Sequence, residues 1–421
     1  MSCEPCGSSL AKMRILVVSQ YFWPENFRIN DLVAELVRRG HSITVLTGQP
    51  NYPGGSVFSD FKEQPEAFST YEGASVVRVA MLPRGTGGLR LMLNYVSFAL
   101  SASIFGSWML RGQDFDAIFV FEPSPVTVGL PAIVLKKLKR APIAFWVLDL
   151  WPQSLEAVGV VRSKIILSIV DRLVRFIYRR CDAVLAQSRS FIRAISQQID
   201  DPARIVYFPS WAEPATSLET VEFAPEVERR EDLFNVVFTG NVGEAQDFGA
   251  VLVAADAMRH DPVRWIIVGD GRKSNWLAEE INRRGLEERF ILVGRFGLER
   301  MPSFFRHADA LLVSLRDEPI FAMTIPGKVQ SYLMAGRPIL AMLNGEGARV
   351  VNESGAGFAV NAGDPASLVN ATRAMLSLDR SQLDQMRQSG RQYAEANFNR
   401  DVLISQLEDI LHQLGGRKSG K

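Results

Sequence analysis

The sequence predicts an α/β protein made of two Rossmann-like, doubly wound domains. Short apolar runs rich in β-branched residues alternate with segments of helix length, a pattern typical of parallel sheets covered by helices. The alternation occurs twice, and a polar, acidic, proline-containing stretch at residues 213–233 separates the two series. We therefore expect two domains joined by a linker.

The first series opens with a strand, a helix and a second strand at residues 12–19, 30–39 and 42–47. This order predicts a parallel strand pair with a right-handed crossover. Further strands of the buried type are predicted at residues 117–121, 143–148, 183–186 and 205–208. We assign residues 1–12 to a disordered leader and residues 13–212 to an N-terminal Rossmann-like domain.

The second series has the same character. Its predicted strands are residues 235–239, 265–268, 290–293, 310–314 and 338–341. We assign residues 213–233 to the linker and residues 234–393 to a C-terminal Rossmann-like domain. Residues 394–421 are expected to form amphipathic helices and a basic tail.

Composition excludes several classes of function. With 421 residues and 47% hydrophobic content, the chain can bury two cores, and a net charge of +1 gives no reason to expect nucleic acid. Cys3 and Cys6 stand in the leader without a second cysteine pair, and Cys181 lies inside the fold, so we expect neither a disulfide framework nor a metal site. The leader lacks the apolar core of a signal peptide, so we expect a cytoplasmic location.

Glycines mark the candidate binding turns. The turn after the first strand lacks the Gly-x-Gly-x-x-Gly pattern of dinucleotide-binding domains, which disfavours an oxidoreductase. In the second half, Gly240 and Gly243 follow one strand, and Gly269 and Gly271 follow the next. Backbone N–H groups at such turns can bind a diphosphate, although a plain β–α turn has the same residues.

A lysine begins a later helix in the second half. The run from Thr324 to Ile339 predicts a loop, a helix that starts near Gly327 and a helix end at Gly336. Lys328 in the first helical turn opposes the helix dipole, so it needs either an anion or full solvation. A bound phosphate would supply the anion.

These motifs resemble family-4 retaining glycosyltransferases of the GT-B fold. In the second half the resemblance rests on residues 240–246, 269–271 and 326–338. In the first half, residues 20–28, 47–53 and 148–154 are similar to the bacterial O-antigen and colanic-acid branch, which transfers fucose-type or N-acetylfucosamine-type sugars. The resemblance covers residues 13 to 412 and implies GT-B architecture, with the two domains facing each other across a cleft.

Two departures from the family pattern concern the donor. Asn241 and Gln246 stand where most members have Arg and Lys, and uncharged amides supply no countercharge to phosphate. Met323 and Ser331 stand where most members have a Glu pair, and Glu318 lies too early to replace either glutamate. The resemblance therefore places more of the phosphate binding on Lys328 and the backbone dipoles.

The resemblance also implies roles for single residues. Asp149 and Glu25 become catalytic candidates, and Arg28, Trp151 and Gln153 are expected to contact the acceptor. Asp149 could instead cap a helix, and Glu25 and Arg28 could form a surface pair. The expected donor-binding residues are Gly240, Asn241, Gly243, Gln246, Gly269, Asp270, Gly271, Arg295, Pro326, Lys328 and Ser331.

The implied chemistry retains the anomeric configuration by front-face attack, with the leaving diphosphate helping to deprotonate the acceptor hydroxyl. It requires no metal and no cofactor besides the substrate, a UDP- or GDP-linked sugar. Positioning and charge stabilisation then carry catalysis.

An uncharged run from Leu91 to Leu110 raises the question of a membrane. Its length could span a bilayer, but Asn94 and four serines favour an in-plane or partly buried helix that presents Phe98, Phe105 and Trp108 to lipid. Residues 161–180 form a basic amphipathic companion suited to anionic headgroups. Both segments could instead simply pack on the sheet.

Together these features predict a glycosyltransferase that uses a nucleotide-sugar donor and a lipid-linked saccharide acceptor at the inner face of the cell membrane. A GT-B-fold epimerase or hydrolase and an inactive membrane-bound scaffold remain as alternatives. The sugar, the nucleotide base, the linkage and the oligomeric state are left open.

Overall fold

The computed structural model describes residues 11–85, 87–157, 163–212 and 218–416. The chain divides into two compact units. The first contains the chain up to Gln187, Phe191–Phe208 and the chain from Leu403 onward, and the second contains Ser188–Ser190 and Pro209–Val402. Each unit is built on a largely parallel sheet, as the Rossmann-like fold class predicts.

The first unit has an eight-stranded sheet in the order β3-β4-β2-β1-β5-β6-β7-β8. All neighbouring strands pair in parallel except β3 and β4. The strands are β1 (Arg14–Val18), β2 (Ser42–Gly48), β3 (Thr70–Tyr71), β4 (Ala74–Val79), β5 (Ala117–Glu122), β6 (Ile143–Val147), β7 (Ala183–Ala186) and β8 (Ile205–Tyr207). Strands β5 and β6 are fully buried and β1 is buried after Arg14, because helices cover both faces of the sheet.

Helices connect these strands. They are α1 (Arg28–Arg38), α2 (Ser59–Glu63), α3 (Gly88–Ser101), α4 (Ser107–Met109), α5 (Gly129–Lys139), α6 (Gln153–Ala157), α7 (Lys164–Tyr178) and α8 (Arg189–Ser196). A π-helical turn, Ala102–Gly106, joins α3 and α4 into one continuous helix. Short 3-10 turns occupy Pro65–Phe68, Val126–Val128 and Pro202–Arg204.

The second unit has a six-stranded, fully parallel sheet in the order β11-β10-β9-β12-β13-β14. The strands are β9 (Phe234–Thr239), β10 (Val263–Val268), β11 (Phe290–Gly294), β12 (Ala310–Ser314), β13 (Ile339–Met342) and β14 (Gly357–Val360). The helices are α9 (Phe248–Ala257), α10 (Ser274–Arg284), α11 (Met301–Phe305), α12 (Pro319–Met323), α13 (Gly327–Ala335), α14 (Gly345–Ser354), α15 (Pro365–Leu376) and α16 (Arg380–Asn397). Glu244–Gln246 and Leu298–Arg300 form 3-10 turns.

The last helix, α17 (Arg400–Gly416), returns to the first unit. Glu408 on α17 is buried, and its carboxylate lies 2.7 Å from Nε2 of His41 and 2.6 Å from Nη1 of Arg39. This buried polar cluster fixes the helix to the start of β2.

The predicted linker differs from the structure in part. Residues 213–217 lie outside the described part of the chain. The segment that follows packs on the second unit, where Leu218, Ala224 and Val227 are buried in the core. Its polar composition reflects an exposed surface segment of that unit rather than a free connection. The predicted leader, residues 1–12, and the end of the basic tail fall largely outside the described residues.

The helix that contains α3 and α4 has one side on the first unit and one side exposed. Asn94, Phe98 and Ala102 face inward and are fully buried, and the side-chain amide of Asn94 donates to the Leu82 carbonyl at 2.6 Å. Within the described chain, Arg90–Met109 is the one helix long and apolar enough to cross a membrane by length and composition, and 33% of its most apolar stretch is buried. The expectation that Phe98 faces lipid is therefore wrong.

The exposed side of this helix continues over its neighbours. Helix α5 packs against the continuous α3–α4 helix and against α7. The exposed surfaces of these helices therefore adjoin. We name the following exposed side chains the apolar face: Met92, Leu93, Val96, Leu100, Ile104, Phe105, Trp108, Met109, Leu138, Ile165, Ile166 and Ile169.

Candidate active site

A cavity of about 890 Å³ lies in the second unit at the carboxyl ends of β9, β10 and β11. Ligands of parallel α/β sheets bind at this edge. Most of the predicted donor residues meet here, namely Gly240, Asn241, Gly269, Asp270, Gly271, Arg295, Lys328 and Ser331. The turns after three strands and the first turns of α13 therefore form one site, although they are distant in sequence.

Two glycines allow the first two turns to touch. Gly240 and Gly269 have positive φ angles, +124° and +155°. A Cβ on Gly269 would lie 1.8 Å from the carbonyl oxygen of Gly240, a distance no side chain can occupy. The N–H of Gly240 donates to the Val268 carbonyl at 2.8 Å, which holds the turns together. The part of the cavity wall formed by these two turns is consequently backbone without side chains.

Lys328 brings a positive charge to this wall. Its Nζ lies 3.7 Å from the centroid of the Phe238 ring, and its side chain contacts Gly240. Burial lowers the pKa of Lys328 to about 7. No carboxylate within the described residues forms an ion pair with it, so an anion in the cavity would be its countercharge.

Three predicted donor residues are absent from the described lining of the cavity. The side-chain oxygen of Gln246 accepts the N–H of Gly243 at 3.0 Å, so these two residues close the turn on each other. Pro326 is the residue that caps α13, and its ring packs near Gly347. These contacts shape the turns of the site, and direct contact of Gly243, Gln246 and Pro326 with the donor stays a prediction.

Asp270 is exposed and already engaged. Its carboxylate accepts the N–H of Gly271 at 2.7 Å. A hydrogen bond from Ser274 is the main cause that lowers the pKa of Asp270, and Gly271 and the charge of Arg295 add to it. Asp270 therefore orders the glycine turn before α10.

The departures in the donor pattern can also be placed. Ser331 lines the cavity, whereas Met323 ends α12 and its carbonyl accepts the Ser188 hydroxyl at 2.6 Å. Sequence reasoning missed Tyr332, which lines the cavity and whose hydroxyl accepts the N–H of Thr239 at 3.0 Å. Its position one residue after Ser331 on α13 was the only available signal.

The first unit carries a second polar group at its carboxyl edge, around Asp149. Trp151 Nε1 donates to Asp149 Oδ2 at 3.1 Å, and the Ser154 hydroxyl donates to Oδ1. Burial raises the pKa of Asp149, while these hydrogen bonds oppose the rise. Gln153 begins α6 beside this group, and its Oε1 has no hydrogen-bond partner in the described part of the chain.

Glu122 is a neighbour of Asp149 that sequence reasoning missed. It ends β5, is fully buried, and accepts the backbone N–H of Asp149 at 3.4 Å. Burial, with the nearby Asp149 charge, raises the pKa of Glu122 well above its ordinary value. A glutamate that closes an otherwise apolar strand was the signal in the sequence.

Glu25 has a structural role that was not expected. It is buried, and its carboxylate accepts the backbone N–H groups of Asn51 at 2.7 Å, Tyr52 at 2.6 Å and Phe22 at 3.2 Å. These hydrogen bonds join the loops after β1 and β2, and the catalytic role expected of Glu25 stays a prediction. Arg28 is the first residue of α1 and is partly exposed.

Within the described residues, no group of three or more His, Cys, Asp or Glu side chains is arranged to hold a metal ion. Asp114 and Asp116, which resemble a metal-binding pair, both contact Arg14, at 3.5 and 3.0 Å.

Comparison with solved structures supports the fold. HepE of Anabaena, whose structure is in complex with UDP, has a TM-score of 0.69 at 14% identity over 95% of this chain and 100% of its own. WaaG, a glycosyltransferase involved in lipopolysaccharide biosynthesis, has a TM-score of 0.64 at 12% identity, over 95% of this chain and 99% of its own. The architecture is therefore GT-B.

Two proteins are related in sequence. WbjE of Pseudomonas aeruginosa, named as a glycosyltransferase, is 28% identical over 60% of this chain and 66% of its own length. WcaI of Escherichia coli (strain K12), named as a colanic acid biosynthesis glycosyl transferase, is 25% identical over 77% of this chain and 82% of its own.

Family descriptions match both halves. A glycosyl transferase 4-like domain matches residues 26–211, and a domain of the glycosyl transferases group 1 matches residues 231–378. The first match contains the Asp149 group, and the second contains the glycine turns and Lys328. Both halves of the chain therefore contain glycosyltransferase domains, and the chain is a glycosyltransferase with the GT-B fold.

Proposed function

We propose that the protein is a retaining glycosyltransferase that moves a deoxy or N-acetylamino-deoxy hexose, of the fucose or N-acetylfucosamine type, from a nucleotide diphosphate to a polyprenyl-diphosphate-linked saccharide. The pathway proposed is the synthesis of a surface polysaccharide, supported by the name of the relative WcaI. The observation that carries the proposal is the cavity in which two glycine turns and an uncompensated lysine meet.

The donor's diphosphate would lie against the Gly240 and Gly269 turns, where backbone N–H groups donate to phosphate oxygens. Lys328 would supply the countercharge as negative charge develops on the leaving diphosphate. Asn241 and Ser331 line the same cavity and can donate hydrogen bonds without adding charge. The UDP in the structure of HepE, a protein of the same fold, agrees with this class of ligand.

Asp149 would orient the acceptor hydroxyl. Trp151 and Ser154 fix the direction of its carboxylate, which leaves the group positioned before a substrate arrives. In the retaining reaction proposed, the departing diphosphate takes up the hydroxyl proton on the face from which it leaves.

The apolar face would place the enzyme on the inner surface of the cell membrane. It includes Ile104, Phe105 and Trp108, which are 61%, 58% and 61% exposed. Large apolar side chains so exposed on adjoining helices are typical of an interfacial surface. An acceptor attached to a lipid lies at the membrane, so an enzyme on the membrane surface could reach it.

Binding and transfer can be tested on the same variants. Lys328→Met should weaken binding of the preferred nucleoside diphosphate by about 1.5–3 kcal/mol, the range for a hydrogen bond to a charged group. Lys273→Met is the matched control, because Lys273 is already paired with Glu244 at 2.8 Å and lies outside the described cavity lining. Calorimetry with UDP, GDP and ADP measures both and identifies the base.

Transfer is measured with radiolabelled sugar nucleotides and lipid-linked saccharide. Transfer that requires both substrates supports the proposal. Donor turnover without acceptor would indicate an epimerase or hydrolase, and no transfer from any UDP- or GDP-sugar would indicate a scaffold.

A further inference from the structure

The first unit contains an arginine without a countercharge near Asp149. Arg84 lies between β4 and α3, and its guanidinium carbon is 5.2 Å from the centroid of the Tyr52 ring. Its backbone N–H donates to the side-chain oxygen of Asn51 at 2.9 Å, which fixes the position of the residue.

The charge of Arg84 is left uncompensated. Within the described chain no carboxylate lies within ion-pair distance of its guanidinium. The carboxylate of Glu25 is taken up by the N–H groups of Asn51 and Tyr52. A partly buried guanidinium that contacts the Tyr52 ring and has no ion-pair partner among the described residues retains N–H donors for an anion. The planar set of guanidinium N–H donors matches the geometry of phosphate oxygens, so phosphate is the anion that fits Arg84.

Aromatic side chains connect Arg84 to the surroundings of Asp149. The Tyr52 ring beside Arg84 lies 5.4 Å from the Tyr21 ring, and the Tyr21 hydroxyl donates to Oδ1 of Asn94, the residue before Tyr95, at 3.4 Å. The Tyr95 ring also lies 6.0 Å from the ring of Trp151, which donates to Asp149. Arg84 and Asp149 therefore belong to one connected surface of the first unit.

The other neighbour of Arg84 is the apolar face. Helix α3 begins four residues later, and its outward side chains Met92, Leu93 and Val96 are exposed. Arg84 thus stands in the chain beside an apolar helix surface, and aromatic side chains connect it to the Asp149 carboxylate. A lipid-linked saccharide has the same order of lipid, diphosphate and sugar hydroxyl.

We infer that Arg84 binds the diphosphate of the lipid-linked acceptor and so sets the distance between the lipid anchor and the hydroxyl that reacts at Asp149. This inference rests on the proposed function and adds a phosphate subsite on the acceptor side. Trp151 and Tyr95 then lie beside the sugar that follows the diphosphate.

The test compares Arg84→Gln, Arg84→Lys and a control, Lys62→Gln, which removes an exposed charge from α2 of the same unit. The substrates are two water-soluble acceptors with one saccharide and one short prenyl chain, joined by a diphosphate in one and by a neutral ether in the other. Arg84→Gln should raise KM for the diphosphate acceptor roughly 10- to 100-fold, as expected for a lost charge-assisted contact. Its kcat, its KM for the ether acceptor and its melting temperature should stay as in the wild type.

Arg84→Lys should recover part of the loss, because it keeps the charge without the planar fork. An equal KM of wild type and Arg84→Gln for the diphosphate acceptor overturns the inference while leaving the proposed function intact. An enzyme that transfers to neither acceptor overturns the proposed function together with the inference.

The same charge could instead bind phospholipid headgroups. Vesicles of phosphatidylglycerol and phosphatidylcholine separate the two sources. If Arg84→Gln loses vesicle binding while KM for the soluble diphosphate acceptor is unchanged, the phosphate belongs to the bilayer and the inference is wrong. Unchanged vesicle binding with a raised KM assigns it to the acceptor.

Discussion

The Nζ atom of Lys328 lies 3.7 Å from the centroid of the Phe238 ring and beside Gly240, at the wall of the second-unit cavity. The ring face partly compensates the ammonium charge, but burial still lowers the pKa of Lys328 to about 7. A diphosphate would raise that pKa again, because it stabilises the charged form. Binding of the nucleotide and protonation of Lys328 should therefore be coupled.

The first prediction follows from this coupling. Above pH 7 the free protein has lost the Lys328 proton, so a bound diphosphate must recover it. The affinity for UDP or GDP should fall as pH rises from 7 to 9, approaching about tenfold per pH unit. Calorimetry at pH 8.5 in two buffers of different ionisation enthalpy should detect uptake of close to one proton. Lys328→Arg, which keeps its charge, should abolish both effects, and absence of proton uptake by the wild type would contradict the coupling.

The second prediction concerns the contact of the two glycine turns. Gly269→Ala places a Cβ 1.8 Å from the Gly240 carbonyl at a φ of +155°, so the turns must separate. We expect a loss of roughly 3 kcal/mol or more in the free energy of unfolding, together with loss of nucleotide binding. Gly285→Ala is the control, because it has a φ of +63° but no atom within 4 Å of the added Cβ. It should cost about 1 kcal/mol and leave binding unchanged. Urea titrations measure the free energy of unfolding of both variants. Equal losses for Gly269→Ala and Gly285→Ala would refute the steric argument.

The third prediction separates membrane binding from packing. Phe105→Ser combined with Trp108→Ser should change the free energy of unfolding by under about 1 kcal/mol, because both rings are exposed, yet it should weaken binding to anionic vesicles. Phe98→Ser removes a fully buried ring from the same helix and should cost about 3–5 kcal/mol. Sedimentation with vesicles and urea unfolding measure the two effects. Retained vesicle binding by the double variant would exclude the apolar face as the lipid contact.

The fourth prediction concerns Glu122. Its pKa is raised in the folded state, so folded protein binds a proton that the unfolded chain releases above its ordinary carboxyl pKa. The stability it contributes is complete below that ordinary value and is lost as pH rises toward the folded-state pKa, by at most about 1.4 kcal/mol per pH unit. Glu122→Gln should remove this loss, so the difference in unfolding free energy between the variant and the wild type should grow as pH rises above the ordinary carboxyl pKa.

Urea unfolding at several pH values provides the measurement. Glu63→Gln, which replaces an exposed carboxyl at the end of α2, should follow the wild-type profile. Parallel profiles for wild type and Glu122→Gln would mean that Glu122 is ionised in the folded protein.

Much of this fold could be predicted from the sequence because the buried strands are short, apolar and regularly spaced. Strands β3, β4 and β14 were missed. β3 and β14 lie at sheet edges, where β3 has only two residues and β14 is only partly buried, and β4 lies beside β3 and contains the polar residues Ser75 and Arg78. The glycine turns and Lys328 were found because few residue types suit such backbone positions. The partners of Glu25 could not be found, because Asn51 and Tyr52 are 26 and 27 residues away and offer only their backbone.

The predicted orientation of Phe98 was wrong for a different reason. In a regular helix, residues seven apart share a face, so Phe98 and Phe105 should point the same way. The π-helical turn Ala102–Gly106 holds more residues per turn and rotates everything after it. Phe98 consequently points inward and Phe105 outward. Hydrophobic periodicity cannot reveal such a turn when both faces are apolar.

The return of α17 to the first unit makes that unit discontinuous in sequence. His41 and Arg39 form their contacts with Glu408 only after Glu408 has been synthesised, more than three hundred and sixty residues later. During synthesis the second unit is therefore complete before the first can close, so the order of maturation is the reverse of the order of translation. A fragment that ends at Phe208 would lack α17 and expose the surface on which α17 packs. A chaperone would bind the fragment at that exposed surface.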